Sequence, residues 1–382
     1  MRVARPLRLI ALAYVALGLL AVVIYRSALA AQTDAVVVLS TVLETPVLTW
    51  SVERLTDEPR VEEIVVAGAP TTLVRPDGSG PWPALVFVNG VTPRGRHHPD
   101  VEDLARGLGR AGYLVLVPDL PGLAQGEITL RTLSATTAAA AYAADRPDAR
   151  DGRVGLVGVS VGGSLALLAA SDASVAERVT VVAAMAPYTD LVNVFRLATI
   201  GLYVDNGRAV PYDSANYLTL VAARSLVASL SNARERSSLL AELPETDDVG
   251  ENPADPLARL RGRSRQGLSE ETRAALALLL NRDPARFERL YASLPSGLRA
   301  AHAQLSPLAA ARRLSAPVEL ASAPRDKYFP VAESRELDAA ARGVRVTLTS
   351  TLAHAVPEPS PGAIADLFRF DAFVVRVLQR AG

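Results

Sequence analysis

The chain has 382 residues, 49% of them hydrophobic, with 40 basic against 40 acidic residues and no cysteine. That is enough apolar chain for one large α/β domain with an insertion or for two ordinary domains, and it excludes a disordered or fibrous protein. It also excludes disulfides, thiolate metal sites and a cysteine nucleophile, and no basic stripe with interleaved aromatics points to nucleic acid as a partner.

The first feature in chain order is Leu9 to Tyr25, 17 uncharged residues between Arg8 and Arg26. That length is at the short end of what spans a bilayer as a helix. With Arg2, Arg5 and Arg8 before it, the stretch predicts a transmembrane anchor within residues 1–30, a membrane as partner, and the bulk of the chain in an extracytoplasmic position. The alternative is a signal peptide cleaved near Ala30, in Ala28-Leu29-Ala30, and a secreted protein. Residues 31–60 read as a linker.

From residue 61 the pattern becomes that of a sheet domain. Val61–Val66 and Thr71–Val74 predict a hairpin, and Asp77-Gly78-Ser79-Gly80 a turn before a buried strand over Ala84–Val88. A helix at Asp100–Ala111, a strand at Tyr113–Val117, a helix at Thr129–Ala144 and a strand at Val154–Val157 follow. After a helical run over Ser164–Ala170 comes a strand at Val179–Ala184. Strands alternating with helices at this spacing predict a mostly parallel sheet with helices on both faces, over residues 61–191.

Between Leu191 and Leu305 no strand is legible. Helical pieces at Tyr217–Leu230, after Asp255-Pro256, at Glu270–Leu280 and after Asp283-Pro284 predict an inserted helical cap over residues 192–304, with Asp-Pro as a start signal. Leu243–Pro256 reads as an exposed loop. The alternation resumes over 305–382, from Ser306-Pro307 through strands at Pro317–Ala321 and Val344–Leu348 to an amphipathic helix at Pro361–Leu378.

The chemistry concentrates at Gly158-Val-Ser160-Val-Gly162. A serine between two glycines, after an apolar strand and before a helix, is the setting of a nucleophile on a sharp turn. Glycine lets neighbouring backbone come close, and the helix N-terminus supplies N–H groups for an oxyanion. A serine alcohol needs a base and a group to orient that base. Of the four histidines, His354 follows the last strand and is the candidate base. His302 lies in the cap, and His97 and His98 read as a polar loop at the cleft mouth. Asp326, just past the penultimate strand, is the candidate acid, with Asp190 as the alternative. Asp119 reads as a structural turn residue. Val161 N–H and Val91 N–H, the latter in the Asn89-Gly90-Val91-Thr92 loop, are the candidate oxyanion donors, and Asn89, His97 and His98 are possible substrate contacts.

The Asn89-Gly90 loop, Gly112–Gly122 with Asp119, Gly158-x-Ser160-x-Gly162, Ser306-Pro307, Ala316-Pro317-Val318, Asp326 and His354 together resemble the α/β-hydrolase superfamily. Within it the chain resembles the dienelactone hydrolase-like and prolyl-oligopeptidase-like esterase branch, over about residues 60–190 and 305–380. It departs from that pattern in carrying Asn89-Gly90 where His-Gly is usual, and Ser160 where the dienelactone hydrolases carry cysteine. The resemblance implies an α/β-hydrolase fold and a serine hydrolase that cleaves carboxylic esters through a Ser160–His354–Asp326 triad, the cap supplying an apolar acyl-binding wall. It implies no metal or cofactor, and a small ester or acyl compound as substrate. Peptidase or acyltransferase activity on the same triad remains open, as does a non-catalytic binding protein that kept the fold. Acyl length and oligomeric state are not legible.

Overall fold

The structure, a computed structural model, describes residues 29–41, 46–246, 253–350, 352–353, 356–357 and 363–382. Helices α1 (residues 29–41) and α2 (Pro46–Leu55) precede a hairpin of β1 (Arg60–Val66) and β2 (Ala69–Arg75). Then come β3 (Trp82–Val88), α3 (Pro99–Arg110), β4 (Leu114–Pro118), α4 (Leu130–Asp145), β5 (Ala149–Val159), α5 (Val161–Ala170) and β6 (Val179–Met185). A largely helical excursion holds α6 (Leu191–Ile200), a small hairpin of β7 (Leu202–Asp205) and β8 (Arg208–Pro211), α7 (Asn216–Ala228), α8 (Ala233–Leu240), α9 (Ala258–Gly262), α10 (Glu270–Leu279), α11 (Phe287–Ala292) and α12 (Ser296–Gln304). The chain returns through α13 (Pro307–Ala310), β9 (Val318–Ser322), α14 (Val331–Ala340), β10 (Val344–Leu348), the short pair β11 (Leu352–Ala353) and β12 (Val356–Pro357), and α15 (Ala363–Ala381).

Eight strands form one sheet in the order β1-β2-β4-β3-β5-β6-β9-β10. β2 is antiparallel to both its neighbours, and the other pairings are parallel. The central strands read as unbroken apolar runs because both faces are covered: every residue of β4 is buried, as is Pro83–Val88 of β3. From β3 the chain crosses to β4 on one side and then to β5 on the other. Strand order therefore reverses beside β3, and the carboxyl ends of β3 and β5 flank the crevice where ligands bind in such sheets. This is the α/β-hydrolase arrangement expected from the sequence.

The two faces are packed differently. On one, α4 lays Ala139, Ala140, Ala143 and Ala144 toward the sheet and all ten residues of α5 are buried, so small side chains bring the helices close. A Cβ added at Gly163 of α5 would stand 3.1 Å from Cβ of Ala184 in β6. On the other face, α3 and α15 meet Leu85, Phe87, Val115 and Val157 of the sheet with larger residues such as Leu108, Phe370, Phe373 and Leu378. α15 is fastened to β9, where buried Glu319 accepts a hydrogen bond from Arg376 Nε at 2.9 Å and another from Arg380.

Three sequence expectations meet a different structure. Residues 31–60 carry α1 and α2, and α1 belongs to the second face. Its Ala31, Ala35 and Val38 are buried there, Gly107 of α3 would meet Thr41 at 3.2 Å through any Cβ, and Gln32 Nε2 donates to Asp371 of α15 at 3.0 Å. The small hairpin β7–β8 interrupts the stretch where no strand was legible. Its turn, Asn206-Gly207, has φ of 48° and 75°, the left-handed pair that two-residue hairpins favour. The third correction concerns the anchor. Among the described residues no helix is long and apolar enough to cross a membrane. The segment Leu9–Tyr25 lies outside the described residues, and the helix that follows it buries Ala31, Ala35, Val38 and Leu39 against protein and leaves Leu29 and Val36 exposed. The transmembrane anchor, the membrane partner and the extracytoplasmic placement expected from the sequence are therefore supported by no spanning helix among the described residues.

Candidate active site

Ser160 sits between the last residue of β5 and the first of α5, with φ 54° and ψ −127°. A serine outside the ordinary helical and extended regions is strained, and such strain persists only where the surroundings over-determine it. Here they do. Ser160 N–H donates to Met185 O of β6 at 2.7 Å, while Ser160 O accepts from Gly163 N at 2.9 Å and Ser164 N at 3.3 Å. The flanking glycines admit no side chain: a Cβ at Gly158 would lie 2.3 Å from Gly162 O, and one at Gly162 would lie 2.1 Å from Val88 O. The loop after β3 is equally close, since a Cβ at Gly90 would stand 3.3 Å from Cβ of Ser160.

As the first residue of α5, Val161 has no intrahelical acceptor for its N–H, and that N–H lies at the positive end of the helix. Ser160, Val161, Asn89, Gly90, Val91 and Thr92 line one cavity of about 320 Å³. Asn89 is buried. Its Nδ2 donates to Gly90 O at 2.8 Å, and its Oδ1 takes no hydrogen bond among the described residues.

Asp326 lies on the loop between β9 and α14. Its carboxylate is buried and accepts from Tyr328 N at 2.7 Å and Phe329 N at 2.9 Å, which fixes its orientation. Its carbonyl accepts from the Tyr212 hydroxyl, tying this loop to the excursion just past β8. Tyr328 and Phe329 line the cavity. His354 lies outside the described residues.

The two histidines after β3 part company. His98, the residue before α3, lines the cavity, with Nδ1 3.9 Å from Asp100. His97 is exposed beside Glu102 at 3.2 Å and is not part of the described lining. His302 is buried between Phe195 and Tyr291, where burial holds its pKa down at about 4. Asp190 caps α6, accepting from Val192 N at 2.9 Å, and burial raises its pKa. Asp119 accepts from Arg96 Nε at 2.8 Å and from Arg96 N at 3.2 Å, so it organises the turn that precedes α3. Among the described residues no cluster of His, Asp or Glu is arranged to hold a metal ion.

Two features have no counterpart in the sequence reading. One is Glu333 of α14, a buried carboxylate whose Oε2 accepts from Thr189 N at 2.7 Å, Thr189 Oγ1 at 2.9 Å and Asp190 N at 2.8 Å, where the chain leaves β6 for the excursion. Burial raises its pKa to about 7. No periodicity or motif marks a glutamate of this kind. The other is the wall of the cavity. Among the described residues it is built largely by the sheet, α1, α3 and α15, a source the sequence did not indicate, and the excursion adds Tyr217, Leu218 and Val221 of α7.

Residues 70–348 match the model of the X-Pro dipeptidyl-peptidase (S15) family. No curated protein matches the chain. Among solved structures, dipeptidyl peptidase 4 of Porphyromonas gingivalis is 13% identical over 84% of this chain and 36% of its own, with a TM-score of 0.46. Acylaminoacyl peptidase of Pyrococcus horikoshii is 14% identical over 78% of this chain and 38% of its own, with a TM-score of 0.43. An esterase of Pyrococcus furiosus is 12% identical over 85% of this chain and 91% of its own, also at 0.43. This chain spans little more than a third of the length of either peptidase. With an α/β-hydrolase sheet and a family model matched from β2 to the end of β10, the chain belongs to the X-Pro dipeptidyl-peptidase (S15) family.

Proposed function

We propose that the chain is a serine peptidase working through an acyl-enzyme on Ser160. The observation that carries this is the strained Ser160 backbone at the mouth of a cavity, with the glycine-lined β3 loop against it. In this reading Ser160 Oγ attacks the scissile carbonyl as His354 takes its proton, and Asp326 orients His354 and stabilises the imidazolium. Val161 N–H and Val91 N–H hold the oxyanion. The C–N bond then breaks as His354 returns the proton to the leaving amine, and water, activated by the same histidine, releases the acid. A peptide bond is the first target because the matched family is described as a dipeptidyl-peptidase family.

Carboxylic ester hydrolysis on the same residues is the second reading, favoured by the mainly hydrocarbon lining of the cavity. Fluorophosphonate labelling of the full chain tests the nucleophile, with Ser160→Ala as the control that loses the label. Release of p-nitroaniline from X-Pro anilides supports the peptidase, and turnover of p-nitrophenyl esters alone moves the assignment to an esterase. Absence of labelling overturns both and leaves a binding protein. Asp326→Asn is expected to lower kcat by about 10³ to 10⁴-fold with the label position unchanged, and a larger loss from Asp190→Asn would make Asp190 the acid.

A further inference from the structure

We propose that the cavity below Ser160 is a channel for an unbranched aliphatic chain on the acyl side of the substrate, held between the sheet and the helices α3 and α15. The proposal rests on the second reading above, ester hydrolysis through an acyl-enzyme on Ser160, and it names what the acyl group is.

Shape is the first argument. Phe87, Val157 and Ala183 are paired neighbours across β3, β5 and β6, so they form one row of the sheet. All three line the cavity, and the row lies two residues below Val159, roughly 6–7 Å down from the elbow at the usual strand rise. On the helix side, the lining of α15 runs from Phe370 to Leu378 and that of α3 from Asp100 to Leu108. Each stretch covers about 12 Å of helix axis. The space is therefore long, and it follows the strands and helices down from the elbow.

Chemistry is the second. Polar side chains of the described lining, such as Asn89, Thr92, His98 and Tyr328, stand on the segments that follow the carboxyl ends of β3 and β9, the end of the sheet that carries Ser160. Below them the described walls are hydrocarbon: Val157 and Ala183 from the sheet, Leu104 and Leu108 from α3, Phe373 and Val377 from α15. A charged amino terminus taken into such walls would need a buried carboxylate as partner, and the carboxylate of the described lining, Asp100, is an exposed one in the first turn of α3. A saturated chain gains free energy there in proportion to the area it buries.

Size is the third, and two measures agree. The volume of about 320 Å³ holds roughly ten groups of about 30 Å³, the share of one water and close to that of a methylene. The roughly 12 Å of helix that lines the space bounds an extended chain at roughly ten carbons. An octanoyl to decanoyl group fits both figures.

The test is a series of p-nitrophenyl esters from acetyl to myristoyl on the full chain, with Leu104→Trp and Val374→Trp, whose side chains stand in the helix wall of the channel. The expected result is an optimum at octanoyl or decanoyl, and a decanoyl-to-acetyl ratio of kcat/KM that falls by at least about tenfold in each variant, with melting temperatures showing that both fold. Isothermal titration of decanoate into Ser160→Ala and Ser160→Ala/Val374→Trp reads the channel without catalysis, and binding is expected to the first and lost in the second. An optimum at acetyl, an unchanged ratio in folded variants, or no binding of decanoate to Ser160→Ala overturns the channel. Decanoate binding without fluorophosphonate labelling overturns the nucleophile and leaves the channel standing.

Discussion

The two faces of the sheet use opposite means to bury apolar surface. Beneath α4 and α5 the helices approach on alanine and glycine, and side chains such as Ala140 and Ala166 are completely buried. Beneath α3 and α15 the helices stand on leucine, phenylalanine and valine, and the 320 Å³ cavity lies among them. Small residues allow close approach and leave little between helix and sheet, whereas large residues hold a helix off and can arch over a space. The first face fixes the backbone that strains Ser160, and the second gives that serine something to open onto.

The same enlargement should therefore have unequal consequences on the two faces. The largest effect is expected from Gly162→Ala. Its new methyl group would lie against Val88 O and Asn89 O, both backbone atoms that cannot swing aside, at a cost of about 3 kcal/mol or more. Urea denaturation should show that loss together with loss of fluorophosphonate labelling, and a variant of native stability would mean that the elbow is more yielding than its contacts indicate. Next is Ala140→Leu on the close-packed face, expected to destabilise by about 2–3 kcal/mol. Ala183→Val is its counterpart on the cavity face, where the added methyl groups enter open volume, and a change within about 1 kcal/mol is expected. Equal losses from the two would erase the distinction between the faces.

A pH-dependent effect probes a polar fault in the close-packed face. Glu333 of α14 has its carboxyl pKa raised to about 7 by burial, with the Asp190 charge adding to the rise. A group whose pKa is higher folded than unfolded contributes stability that is full below its unfolded value, about 4.5, and lost as pH rises through about 7. Between those limits wild type should lose roughly 1–3 kcal/mol more than Glu333→Gln, as read from denaturation curves at stepped pH. Parallel pH profiles would show that the three donors on Glu333 Oε2, from Thr189 and Asp190, already compensate its charge.

Much of the sheet was legible because a parallel strand covered on both faces is written as an uninterrupted apolar run, as in Leu114–Val117. The elbow was legible for a related reason. Only glycine survives at 158 and 162, so the geometry leaves its mark in residue type. Less legible were features that depend on what lies opposite. The apolar positions Ala31, Ala35 and Val38 have helical spacing, yet next to the longer uncharged stretch they carry no sign of packing against α3. The β7–β8 strands are four residues each, too short for alternation to register, although Asn206-Gly207 was the available turn signal. The cavity has no sequence signature at all. It is set by how far α3 and α15 stand from the sheet, a distance no single residue encodes.

The fastening of α15 to β9 through Glu319, Arg376 and Arg380 has a consequence for the order of biosynthesis. Every strand of the large sheet leaves the ribosome before α15 does, so the alanine-packed face can form while the opposite wall of the cavity is still missing. During that interval, Phe87, Val157 and Ala183 have neither α15 nor its phenylalanines over them. The nascent domain then carries an open greasy trough beside its elbow, a surface on which chaperones act. A stall or premature stop before Phe370 would leave a sheet able to hold its shape around Ser160 but without the wall that gives the channel its far side.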